Sequence, residues 1–100
     1  MNYITIKHLD FVPNKLIKEY KEGDYSFIGV FTRKRNNRTY KNKKWAIGQI
    51  SFHPKSKRWG FIPFPDWNIG EESLFIIASV VYQLDKGKLK FNDKNGELSV

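Results

Sequence analysis

The stretch Glu71–Asp85 limits this chain most tightly, because it reads as a helix that is apolar on nearly every side. Leu74, Ile77, Ala78, Val81 and Leu84 recur at helical spacing and form the expected core stripe. Phe75, Ile76, Val80 and Tyr82 make the other faces apolar as well. Such a helix is expected to be buried on more than one side. Its ends are marked: Ile69 and Leu74 are spaced as a hydrophobic staple around a Gly70 cap. Glu71 and Glu72 suit the positive end of the dipole, and Gly87 follows the last turn.

The segments before it read as strands. Residues 25–33, 45–52 and 58–64 are rich in β-branched and aromatic side chains and are separated by polar turns. Pro63 and Pro65 stop the last of them and place it at a sheet edge. Residues 3–7 alternate as a further strand, and 14–22 read as a short helix after Pro13. Both parities of the strands are apolar. One carries Phe27, Phe31, Trp45, Ile47, Trp59 and Phe61, the other Ile28, Val30, Ala46, Ile50, Phe52, Ile62 and Phe64. One helix covers only one face of a meander. The second face is expected to meet the N-terminal segment, another copy of the chain, or a ligand. The fold class is therefore α+β: an antiparallel meander of three to four strands with one long helix on one face, in the order ββββα or βαβββα. Residues 1–100 read as a single domain, with 88–100 a small hairpin about Asn95-Gly96 or a flexible tail.

With 100 residues there is room for one modest core, and sixteen aromatics supply it efficiently. The absence of cysteine excludes a disulfide framework and a thiolate metal site, and fits a cytoplasmic protein. The N-terminus has no signal-peptide pattern. No apolar run is long enough to span a bilayer, so no membrane is expected as a partner.

Charge is distributed unevenly. Between Asp24 and Asp66 no acidic residue occurs, while Arg33, Lys34, Arg35, Arg38, Lys41, Lys43, Lys44, Lys55, Lys57 and Arg58 all fall there. The remainder of the chain holds eight basic and ten acidic residues, so the net charge of +8 belongs to one segment. Clustered cations neutralise phosphates and release counterions. Arg33, Lys43 and Lys57 share parity with Phe27, Phe31, Trp45 and Trp59, an interleaving suited to single strands whose bases stack on rings. Tyr40, Trp45 and Trp59 are the candidate stacking residues. The plainer reading makes the lysines solubilising and the aromatics core.

Catalytic patterns are sparse. His8 and His53 are the two histidines, and Asp10 near His8 is the best candidate for a metal or general-base pair. No phosphate loop, serine elbow, zinc spacing or magnesium-holding carboxylate cluster accompanies the basic segment. No catalytic residue, metal or cofactor is assigned. The element order resembles the double-stranded RNA-binding domain, and the meander followed by a helix resembles the single-strand-binding coactivator fold. Glu71-Glu72 stand where the former places phosphate-binding lysines, so both likenesses are at the level of fold. The stretch 45–85 also resembles small phage and prophage proteins sharing Gly-x-Ile, a short turn, Trp/Tyr-x-Phe-x-Pro and a Leu/Ile-rich helix. Here those positions are Gly48, Ile50, Trp59, Phe61 and Pro63, followed by residues 74–84. That resemblance implies a phage-type origin and little about activity.

The expected function is non-enzymatic nucleic-acid binding, DNA or RNA, through a single positive surface over residues 33–58. The alternative is a small phage-type interaction protein that modulates a host protein or complex, its basic stretch meeting an acidic protein surface. Apolar area beyond what one sheet and one helix can bury leads to the expectation of a homodimer.

Overall fold

The computed structural model describes residues 3–17, 26–32, 46–92 and 96–100. Five antiparallel strands lie in chain order: β1 (Ile4–Ile6), β2 (Leu9–Pro13), β3 (Ile28–Thr32), β4 (Gly48–His53) and β5 (Arg58–Pro63). A 3-10 turn, Asn14–Leu16, follows β2, the helix α1 (Glu71–Asp85) follows β5, and β6 (Lys90–Asn92) pairs with β7 (Glu97–Ser99). The α+β meander with one helix packed on it is the expected fold. The N-terminal segment contributes two strands instead of one, because a tight turn at Lys7 and His8 folds residues 9–13 back onto residues 4–6. Of the expected helix over 14–22, the 3-10 turn is what the described residues contain. The tail takes the hairpin form.

Strand register decides which side chains share a face. Ile28 pairs with Ile50 and Val30 with Gly48, so even numbers in β3 face even numbers in β4. The turn between β4 and β5 holds four residues, and every pair there joins odd to even: Gly48 with Pro63, Ile50 with Phe61, Phe52 with Trp59. The grouping of Trp59 and Phe61 with Phe27 and Phe31 is thereby corrected. A parity read along one strand does not carry across a turn of unknown length. Trp59 and Phe61 point to the helix side with Ile28, Val30 and Ile50. Phe27 and Phe31 sit on the opposite face with Val12 and Ala46, covered by Ile17 and Leu16.

The helix side holds the larger core. Leu9, Phe11, Ile28, Val30 and Ile50 from the sheet meet Ile77, Val80 and Leu84 of α1 and Leu89 and Leu98 around the hairpin. The buried stripe of α1 is thus Ile77, Val80 and Leu84, rotated from the expected one. Leu74 and Ala78 are exposed. An all-round apolar helix gives its pattern no preferred face, so the docking angle is set by the hairpin and by β5. Gly48 is required where it stands: a Cβ there would lie 2.5 Å from the Phe61 ring and 2.7 Å from the Ile62 carbonyl oxygen.

Candidate nucleic-acid interface

The turn joining β4 to β5 is built to hold its shape. The Lys57 N–H donates to the His53 carbonyl at 2.8 Å, and the Ser56 N–H donates to His53 Nδ1 at 3.2 Å. Closing it places Lys57 in the left-handed region, φ 56°, which costs an L-residue with a side chain roughly 1 kcal/mol. Lys55, Lys57 and Arg58 are all exposed on this turn and the start of β5.

The end of α1 arrives beside them. Asp85 Oδ1 accepts the Trp59 N–H at 2.8 Å, and Asp85 Oδ2 lies 4.0 Å from Arg58 Nε. Gly87, at φ 72°, then ends the helix, and the Lys88 and Leu89 N–H groups return to the Gln83 carbonyl. The turn carries the chain into β6, where Phe91 packs edge-on to Trp59 at 6.0 Å between centroids. Lys86, Lys88 and Lys90 are exposed along this path. Two stretches distant in sequence therefore meet at one end of the molecule, with Lys55, Lys57 and Arg58 on one side and Lys86, Lys88 and Lys90 on the other. Among the described residues, Arg58 is the member of this group with a carboxylate partner.

Trp59 is half-buried between Phe91 and Phe52, the latter edge-on at 5.7 Å. It is a packing residue at the rim of the core and not the open stacking platform expected of it. The ring presented to solvent is Phe52, 46% exposed. The sequence reading missed Phe52 and the three C-terminal lysines, although alternate lysines at 86, 88 and 90 directly after a helix were a visible signal.

Arg33, Lys34, Arg35, Arg38, Tyr40, Lys41, Lys43, Lys44 and Trp45 lie outside the described residues. Their flanking residues place the segment's roots: Thr32 ends β3, and Ala46 precedes β4. In a meander that is the end of β4 opposite to residues 54–57, about 17 Å away along six residues of strand. The two halves of the basic run thus leave the sheet from opposite ends.

The roots lie at the end where α1 begins. There Lys7 Nζ is 4.0 Å from Glu72 Oε2, His8 Nδ1 is 3.5 Å from Glu72 Oε1, and His8 Nε2 is 2.7 Å from Ser73 Oγ. Serine and carboxylate on the two nitrogens of one imidazole is the connectivity of a nucleophile–base–acid relay. Here it joins the turn between β1 and β2 to the first turn of α1, with the Glu72 carboxylate 65% exposed. The expected His8–Asp10 pairing takes another form: Asp10 is buried and accepts from Thr5 Oγ1 at 2.6 Å. Among the described residues no group of three or more His, Cys, Asp or Glu side chains is placed to hold a metal. None of the described helices is long and apolar enough to cross a membrane.

An open apolar groove of about 490 Å³ runs between α1 and β5, lined by Phe61, Leu74, Ile77, Ala78, Val81, Tyr82 and Asp85. The residues carrying the phage-type resemblance have packing roles: Gly48–Pro63 and Ile50–Phe61 are cross-strand pairs, and Gly48 makes room for Phe61. In comparison with known proteins, the chain matches no family model, no curated protein and no solved structure.

Proposed function

We propose that this protein binds nucleic acid without catalysis, through the basic end formed by the turn between β4 and β5 and the exit of α1. One observation carries the reading: Lys55, Lys57, Lys88 and Lys90 are exposed together, with Phe52 beside them, and among the described residues Asp85, paired with Arg58, is the carboxylate that intervenes. Phosphates supply the counter-charge such a surface lacks, and an exposed ring accepts a base. The cations of residues 33–44 and the Tyr40 and Trp45 rings, expected from the sequence to contribute, lie outside the described residues. The binding form is a homodimer.

The test is a salt titration of binding to labelled single- and double-stranded oligonucleotides by fluorescence anisotropy. Three or more phosphate contacts give a log–log slope steeper than about −2. Replacing Lys55, Lys57 and Arg58 by alanine should flatten that slope by about 2 and leave the far-ultraviolet circular dichroism unchanged. Binding indifferent to salt would overturn the electrostatic mechanism. If no oligonucleotide binds at low salt, the same cations favour the second reading, a phage-type interaction protein meeting an acidic protein surface.

A further inference from the structure

The face of α1 directed away from the sheet is neither polar nor random. Ile77, Val80 and Leu84 point into the core. On the opposite side stand Glu71, Phe75, Ala78, Ser79, Tyr82 and Lys86, all exposed. Phe75 is 74% exposed and Tyr82 55%. The Lys86 ammonium lies 5.6 Å from the centroid of the Tyr82 ring, which fixes both on one side. Apart from the adjacent pair Ala78 and Ser79, these positions recur every three to four residues, so the six form one seam along the helix.

Read from either end, the seam has the same shape: charge, aromatic ring, two small residues, aromatic ring, charge. Only the sign of the charge differs. We propose that this seam is the interface for a second copy of the chain, in which two α1 helices pack antiparallel about a two-fold axis between Ala78 and Ser79. In that register Glu71 meets Lys86 of the other copy, and Lys86 meets its Glu71. Phe75 meets Tyr82 twice, and Ala78 and Ser79 let the helices approach at the crossing. A two-fold interface requires that a patch be complementary to itself, and an acid at one end with a base at the other satisfies this only when the helices run antiparallel. A parallel pair would oppose like charges at both ends. The register that would centre on Ala78 itself is disfavoured, because it sets Glu71 against Asp85.

Fifteen residues of helix span about 22 Å, an interface at or below the low end of specific ones, so the dissociation constant is expected on the order of 10–100 µM. The inference gives geometry to the homodimer named above and does not depend on what the basic end binds.

The experiment is sedimentation velocity on the full chain, freed of nucleic acid by nuclease and high salt, over a concentration series spanning that range. Wild type should shift from monomer to dimer. Glu71→Lys and Lys86→Glu should each weaken association about tenfold or more, and the double exchange should restore it, because the opposing pairs are re-formed with signs swapped. Both sites are exposed, so folding is checked by circular dichroism and should not change. A wild type that stays monomeric throughout overturns the proposal. So does a dimer that neither single substitution weakens, since its interface would then lie elsewhere. Oligonucleotide binding by a monomeric wild type would keep nucleic-acid binding through the basic end and discard both the homodimer and this interface.

Discussion

The two ends of the molecule are built alike and used differently. At each, a hairpin turn with a lysine in the left-handed region (Lys7, φ 53°; Lys57, φ 56°) abuts one end of α1. At each, a side chain crosses from helix to sheet or turn: Ser73 to His8 at the start, Asp85 to the Trp59 N–H at the finish. At the start, Glu72 lies against Lys7 and His8, so among the described residues the charge there has a partner. At the finish, among the described residues, Asp85 is the carboxylate paired beside six exposed cations. Part of that excess serves the helix, since Lys86 and Lys88 complement the negative end of its dipole. The turn cations Lys55 and Lys57 have no such role. Charge that the fold does not use is the charge left for a ligand.

The largest expected effect tests whether the aromatics at the finish belong to the fold. Trp59→Ala should cost about 2–4 kcal/mol of stability, read by urea denaturation, because it removes the ring joining Phe52, Phe91 and the core. Phe52→Ala should cost much less and weaken oligonucleotide binding instead. If Trp59→Ala folds with wild-type stability yet loses binding, Trp59 is a stacking residue and the assignment to the core is wrong.

Asp85 comes next, being both a structural acceptor and the acid within the basic end. Its side chain is 22% exposed, and Asp85→Ala leaves the Trp59 N–H without its partner. The expected loss is about 1–2 kcal/mol. Asp85→Asn keeps an acceptor and removes the charge, so stability should fall by less than half as much while affinity for oligonucleotide rises. Equal losses in the two variants would mean that the pairing with Arg58 matters more than the hydrogen bond.

These contrasts also show what was legible in the sequence. The helix boundaries followed from Gly70, the two glutamates and Gly87, all local signals. The meander followed from turn residues and β-branched runs. Which face each side chain takes did not, because it depends on the four-residue length of the turn between β4 and β5. The second strand, Leu9–Pro13, is buried throughout and has no alternation to betray it. The basic site was half legible. Clustering in sequence marked residues 33–58, but only folding brings Lys86, Lys88 and Lys90 to Lys55 and Lys57. Folding also separates the roots of the basic run by the length of β4.

At the helix start, the His8–Ser73 contact should contribute a smaller amount. His8→Ala and Ser73→Ala are each expected to cost about 0.5–1 kcal/mol, with the double variant costing less than the sum because both remove one hydrogen bond. The same variants address the relay-like geometry. Hydrolysis of an activated nitrophenyl ester by wild type, lost in Ser73→Ala, would show a nucleophile where a structural tie is expected.

The smallest effect makes the sharpest comparison. Lys7 and Lys57 hold nearly the same positive φ, in turns of two and four residues, so replacing either by glycine relieves a similar strain. Relief of roughly 1 kcal/mol, less the extra freedom that glycine gives the unfolded chain, leaves a stabilisation of about 0.5 kcal/mol at each site. At Lys7 part of this is offset by loss of the exposed contact with Glu72, a surface pair of little worth. On stability alone the two variants should therefore be near-equals. They should part on binding: Lys57→Gly removes one phosphate contact and flattens the salt slope by about 0.7–0.9, whereas Lys7→Gly leaves slope and affinity unchanged. Thermal denaturation and anisotropy on the same two proteins supply both readings. If both variants gain stability and neither loses binding, the turn between β4 and β5 is merely solvated. The ligand would then have to be sought among the cations of residues 33–44.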